Sequence, residues 1–291
     1  PEGTFMNILQ LQAIRKSYNL GTPVETEVLH DINLEIIQGA RIGIIGTTGS
    51  GKSTLLRLLA GLYLPQGGRI SVDGVDLQQI EPAELRSRLG YVGQEAQLFL
   101  GTLRDNLVLS DSWISDARVI EVLQQLDLYT MVANHPRGLD MPLTEAGGGL
   151  SGGQRQLLAI ARMMLRDPAL VFLDEPTSMM DQTTEAKVID VLGHWLQGRT
   201  LVLSTHRLQL LAWVERIALL ENGQHDDGSV SLPPALVPFG APEWMNTVLP
   251  FPLLLLLLLP PNNPPPLLPG SLPPASSAGG VPPPPDETVD D

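Results

Sequence analysis

Leu150-Ser151-Gly152-Gly153-Gln154 lies between two other stretches that must be read together with it. Upstream stands Gly46-Thr47-Thr48-Gly49-Ser50-Gly51-Lys52-Ser53, and downstream Leu170-Val171-Phe172-Leu173-Asp174-Glu175. The upstream stretch follows a short β-branched run, Arg41–Ile45, and leads into Ser53–Leu62, whose apolar residues have the spacing of an amphipathic helix. In such a strand–loop–helix unit the glycines let backbone amides close around phosphate oxygens where a Cβ would intrude, and the helix aims its positive end at them. Lys52 supplies a mobile cation for the β- and γ-phosphates, and the Ser53 hydroxyl is suited to magnesium. The candidate nucleotide-binding residues here are therefore Gly46, Thr47, Thr48, Gly49, Ser50, Gly51, Lys52, Ser53 and Thr54.

Asp174 and Glu175 follow four apolar residues, so the strand is buried and the acids emerge at its carboxyl end, where ligands sit in open α/β sheets. A lone Asp-Glu is commonplace at a strand end; after Leu150–Gln154 and before Pro176-Thr177-Ser178 it is specific. Ser151 followed by Gly152 and Gly153 opens a helix whose free amides and hydroxyl form a second anion site. Taken alone, Ser-Gly-Gly is also an ordinary N-capped helix start, and only the company of Gln154-Arg155-Gln156 and the other motifs favours the first reading.

The rest of the chain alternates strands and helices. Met6–Ser17 and Val28–Ile36 read as strands, and Arg69–Val72 with the turn Asp73-Gly74 as a small antiparallel hairpin. Leu85–Gln94 passes from helix end to strand to loop. The pattern is helical between about Thr102 and Ala133, most clearly over Ser115–Leu126, and again over Gly152–Arg166, which Asp167-Pro168 breaks. Ala169–Leu173 and Thr200–Ser204 read as buried strands, Thr184–Leu196 and Leu208–Val214 as helices, and Arg216–Leu220 as a last strand. This order predicts an α/β fold with a mostly parallel sheet, a small antiparallel β subdomain and a helical subdomain carrying Leu150–Gln154.

Composition divides the 291 residues in two. From Ser229 onward there is no Lys, Arg or His, and 18 of the 26 prolines fall there. Proline lacks the amide donor and fixes φ, so the expectation is a folded domain over 1–228 and a disordered low-complexity tail over 229–291. Leu253–Leu259, seven leucines fenced by Pro252 and Pro260, is far short of the roughly 20 apolar residues of a spanning helix. The formal charge is −14, five units of it from the tail (Glu243, Asp286, Glu287, Asp290, Asp291). An acidic domain lacks the basic face that nucleic acid needs, so no nucleic-acid partner is expected. With no cysteine there is no disulfide, thiol catalysis or thiolate metal site.

In these motifs the chain resembles the ATP-binding cassette (ABC) family of P-loop ATPases, over roughly residues 6–224. The resemblance implies ATP and Mg2+ as ligands, with Asp174 holding magnesium through water, Glu175 polarising the attacking water, and Lys52 and Ser53 on the phosphates and metal. It implies that Gln94, ending Tyr91-Val92-Gly93-Gln94, touches magnesium and moves with a membrane part, and that His206, in Ser204-Thr205-His206-Arg207, contacts the γ-phosphate. Read alone, such a histidine is more often a surface residue. Tyr18 stands where the family places an adenine-stacking aromatic; the alternative is a plain edge aromatic, since little motif surrounds it. The family uses Ser151, Gly152, Gly153 and Gln154 on the nucleotide of an opposite subunit, so a second ABC domain is implied, as are the transmembrane domains of an exporter on the cytoplasmic face of the inner membrane. Leu98–Leu107 and Thr144–Gly149, with Glu145, are similar to ATPase domains of bacterial type I secretion exporters. The chain opens at Pro1, and a detached domain or fragment is expected. Ser178-Met179-Met180-Asp181 departs from the family in its two methionines, and the chain after Gly223 departs entirely. The rivals are a soluble ABC ATPase not coupled to transport, a nucleotide-binding regulatory module without turnover, and a truncated cassette; Glu175 and His206 speak against the second.

Overall fold

A computed structural model describes residues 7–220 except 110 and 112, together with 230–231, 244–245 and 249–250. The strands are β1 (Asn7–Tyr18), β2 (Thr26–Ile37), β3 (Arg41–Ile45), β4 (Gly67–Val72), β5 (Val75–Asp76), β6 (Leu89–Val92), β7 (Gly101–Thr102), β8 (Pro142–Leu143), β9 (Leu170–Asp174), β10 (Thr200–Ser204), β11 (Arg216–Leu219), β12 (Val230–Ser231), β13 (Trp244–Met245) and β14 (Leu249–Pro250). The helices are α1 (Lys52–Leu59), α2 (Pro82–Arg88), α3 (Leu103–Val108), α4 (Asp116–Gln125), α5 (Tyr129–Ala133), α6 (Gly152–Arg166) and α7 (Gln182–Trp195). The expected tail, including Leu253–Leu259, otherwise lies outside the described residues.

The central sheet runs β14-β11-β3-β10-β9-β6, and every pair from β11 to β6 is parallel. β14 pairs antiparallel at the edge, where a proline in a strand is tolerated. A second, antiparallel sheet has the order β2-β1-β4-β5. Both faces of β9 are core, and its side chains alternate between them as a strand must. Leu170 and Phe172 join α1 and the antiparallel sheet in one apolar cluster, whereas Val171 and Leu173 join α6 and the helical subdomain in the other. Β-branched and leucine-rich runs thus become the interior strands whose ends carry the polar residues. The fold is the α/β P-loop arrangement expected, with its antiparallel and helical subdomains.

Strand and helix ends differ from the sequence reading by a residue or two in several places, and two helix ends and one helix type differ for a clear local reason. α1 stops at Leu59 rather than Leu62 because Gly61 adopts a left-handed φ of 67°. Its N–H then reaches Leu58 O and that of Leu62 reaches Arg57 O, a Schellman closure. α7 begins at Gln182 rather than Thr184 because the Asp181 carboxylate caps it, accepting from the amides of Thr183 and Thr184. Leu208–Trp213 is a 3-10 helix, not the α-helix its apolar residues suggest. Among the described residues no helix is long and apolar enough to cross a membrane.

Candidate nucleotide site

Parallel pairing decides which residues meet. Ser204 on β10 lies opposite Asp174 on β9 and Ile44 on β3, so these three strands end level at their carboxyl edge. The chain after β3 is the glycine loop, after β9 it is Glu175, and two residues beyond β10 it is His206. Gln94 follows β6 at the same edge, where Val92 pairs with Leu173, and its side chain is exposed.

The glycine loop needs its glycines for two different reasons. Gly49 and Gly51 have φ of 86° and 94°, the left-handed region that glycine enters without penalty. Gly46 is constrained by packing: a Cβ there would stand 1.8 Å from the Leu220 carbonyl and 2.7 Å from Ser50 Oγ. No side chain caps α1, whose N-terminal residue Gly51 leaves the first amides for an anion. Lys52 folds back over the loop, donating from Nζ to the carbonyls of Gly46 (2.8 Å) and Thr47 (2.9 Å). Burial lowers its pKa, while Glu175 and Asp174 oppose that shift.

Asp174 is wholly buried, and neither carboxylate oxygen has a hydrogen-bond partner among the described residues. Two orphaned buried anionic oxygens imply a cation, since such a group is costly to leave unpaired. With the Ser53 hydroxyl at the start of α1, the donors fit magnesium, which typically takes one or two carboxylates and completes its shell with water and phosphate oxygens. The described residues hold no cluster of three or more His, Cys, Asp or Glu that would suit an all-protein cage.

Glu175 is held by its backbone. It takes a left-handed φ of 50°, donates its N–H to Ser204 O (2.9 Å), and accepts at its carbonyl from the Gln156 side chain (2.8 Å). The carboxylate is thereby turned to His206, with Oε1 3.4 Å from Nε2. Burial raises the Glu175 pKa; His206 and Lys52 pull it down and Asp174 adds to the rise. A carboxylate poised upward in this way is suited to general-base work near neutral pH.

Tyr18 ends β1 beside α1: its hydroxyl hydrogen-bonds Thr54 Oγ1 at 3.0 Å, and its ring meets Tyr63 edge-on at 6.5 Å. Ser151, Gly152, Gly153 and Gln154 form a separate group at the start of α6. The Ser151 hydroxyl accepts from the Gln154 amide (3.1 Å) and Gln154 Oε1 accepts from the Ser151 amide (2.9 Å), a capping box. The Gln154 side chain therefore closes its own helix end. Ser151→Ala is expected to cost about 1 kcal/mol of stability, read from a denaturant melt; a loss under 0.2 kcal/mol would contradict the cap. Gly152 and Gly153 lie against Met179 and Met180.

The structure adds residues that the sequence reading did not single out. Gln156 is 1 % exposed on the core face of α6. Thr177 Oγ1 donates to Glu185 Oε1 (2.6 Å), and Arg207 pairs with Glu185 Oε2, so the loop after Glu175 is tied to α7 and to the segment of His206. The signal was present: Gln156 and Glu185 are polar residues at helix positions that the 3.6-residue period assigns to the core.

A lysine and two acids gathered beneath a glycine loop, at the carboxyl edge of a parallel sheet, define the P-loop nucleotide-binding class. Comparison with known proteins narrows the class. A protein-family model described as ABC transporter matches residues 29–178, just over half of the chain. The chain is 38% identical over 218 residues to the uncharacterized ABC transporter ATP-binding protein YwjA of Bacillus subtilis (strain 168), covering 73% of this chain and 38% of that protein. It is 37% identical over 216 residues to the leukotoxin translocation ATP-binding protein LktB of Mannheimia haemolytica, covering 74% and 30%. A bacterial Atm1-family ABC exporter solved with ATP bound is similar in structure, with a TM-score of 0.67, 32% identity and coverage of 73% of this chain and 37% of that one. The chain belongs to the ABC transporter family, as an ATP-binding domain. It spans between 30% and 38% of the length of these proteins.

Proposed function

We propose that this chain is the ATP-binding and ATP-hydrolysing part of an ABC exporter, acting as a pair of such domains coupled to transmembrane domains at the cytoplasmic face of the membrane. The observation that carries the reading is the convergence of Lys52, Asp174, Glu175 and His206 on one sheet edge.

Each residue has a role that its surroundings support. The free amides of the glycine loop and of α1, with Lys52, take the phosphates, and Tyr18 flanks the base. Ser53 and Asp174, with Gln94 from the neighbouring loop, would hold magnesium, which neutralises phosphate charge when bound. Glu175 accepts a proton from the attacking water, and His206, 3.4 Å from it, orients the carboxylate and faces the γ-phosphate. Ser151, Gly152 and Gly153 serve the nucleotide of the second domain, because their described contacts run to each other and to the 179–180 segment rather than to the glycine loop. Similarity to a leukotoxin translocation protein supports export of protein or peptide cargo.

The test is the solution mass of Glu175→Gln with and without magnesium-free ATP, by light scattering on a gel-filtration column. The expected result is a shift from monomer to dimer on adding ATP. A monomer under both conditions would count against pairing by this chain alone.

A further inference from the structure

Glu175 is the one residue of the site held in a left-handed backbone conformation without being glycine. That conformation is costly for a non-glycine residue and persists only where the surroundings over-determine it. Two long-range bonds do so here. The Glu175 N–H is fixed by Ser204 O on β10, and the Glu175 carbonyl by Gln156 Nε2 on α6, at 2.9 and 2.8 Å. Gln156 also accepts the Met179 N–H at Oε1 (3.1 Å) and lies 3.4 Å from Ser178 Oγ. A single buried amide thus spans both ends of the loop that follows Glu175. It sits on the second turn of the helix that opens with Ser151, Gly152 and Gly153, whose first turn packs on Met179.

We infer that Gln156 is a positioning residue for hydrolysis: it holds the Glu175 backbone in its left-handed turn and locks the loop through Met179 to the start of α6, so that the carboxylate and the Ser151 end of α6 move as one body. The inference rests on the assignment of Glu175 as the base. An apolar side chain of similar size at 156 would fill the space but leave the Glu175 carbonyl and the Met179 amide unsatisfied, and a misplacement of about 1 Å in a reacting group can cost on the order of 100-fold in rate.

The test uses the full chain with Gln156→Leu and Gln156→Glu, each alone and combined with Glu175→Gln. Amide exchange without nucleotide reads the contact directly. Gln156→Leu is expected to speed exchange at Met179 by about 10-fold or more, with β9 and the last turns of α6 unchanged. Gln156→Glu, in its ionised form, retains an acceptor for Met179 but has no donor for the Glu175 carbonyl, so it should keep Met179 protected. Both variants are expected to lower kcat by about 10–100-fold with KM within twofold of the parent. Neither should lower the residual rate of Glu175→Gln further, because Gln156 acts through Glu175. A kcat within twofold of the parent in Gln156→Glu, or losses that multiply in the double variants, overturns the inference. If Glu175→Gln itself keeps the parental rate, the assignment of the base fails and the inference falls with it.

Discussion

Glu175→Gln is expected to lower ATP turnover by about 10²–10⁴-fold while leaving nucleotide affinity within a few-fold, which is the usual contribution of a positioned general base. Glutamine preserves the size and the backbone contacts to Ser204 and Gln156 while removing the negative charge and the capacity to accept a proton. Steady-state phosphate release, alongside binding of a fluorescent ATP analogue, would measure both effects; a loss of less than tenfold would mean that another group accepts the proton. The same substitution has a second consequence for the nucleotide-free chain. Burial raises the Glu175 pKa in the folded state, so folding is penalised at pH values above that raised value, where the buried group must be charged, and not below the ordinary carboxylate range, where both states are protonated. Glu175→Gln should therefore raise the melting temperature at pH 7–8 and leave it unchanged at pH 4 or below.

Short-range features were legible in the sequence because their chemistry is local. A glycine loop with its lysine and serine occupies eight consecutive residues, the Ser151 cap and its Gln154 partner are three apart, and Asp174 ends its own strand. A mostly parallel sheet, though not its strand order, followed from strands alternating with helices. What escaped was polar pairing across long separations. Gln156 reaches Glu175 and Met179, 19 and 23 residues on, and Glu185 reaches Arg207 across 22. A helix pattern shows only that a polar residue stands on the apolar stripe; it does not say whether that residue is buried with a partner. Gly46 was read as making room for phosphate, yet its missing Cβ also makes room for the Leu220 carbonyl, a contact set by β3–β11 pairing. The 3-10 turn at Leu208–Trp213 was not legible because six residues, apolar except Gln209, do not distinguish i+3 from i+4 bonding.

Lys52→Met is expected to weaken ATP binding by about 100-fold or more. Without phosphate the ammonium is already anchored over the loop by the carbonyls of Gly46 and Thr47, so little reorganisation opposes its transfer to phosphate oxygens. Charge-assisted hydrogen bonds contribute about 1.5–3 kcal/mol each, and the loss of one or two accounts for that factor. The electrostatic argument has the same sign. Asp174 and Glu175 both act electrostatically on Lys52, and neither Asp174 carboxylate oxygen has a hydrogen-bond partner among the described residues. Methionine keeps the length and packing of the stem but leaves a buried acid, Asp174, and a half-buried one, Glu175, facing an incoming polyanion. Isothermal titration in EDTA separates this effect from metal binding: an affinity within threefold of the parent would show that the backbone amides alone hold the phosphates. Should magnesium then restore part of the lost affinity, the share restored measures how far a cation at Asp174 substitutes for the one removed at Lys52.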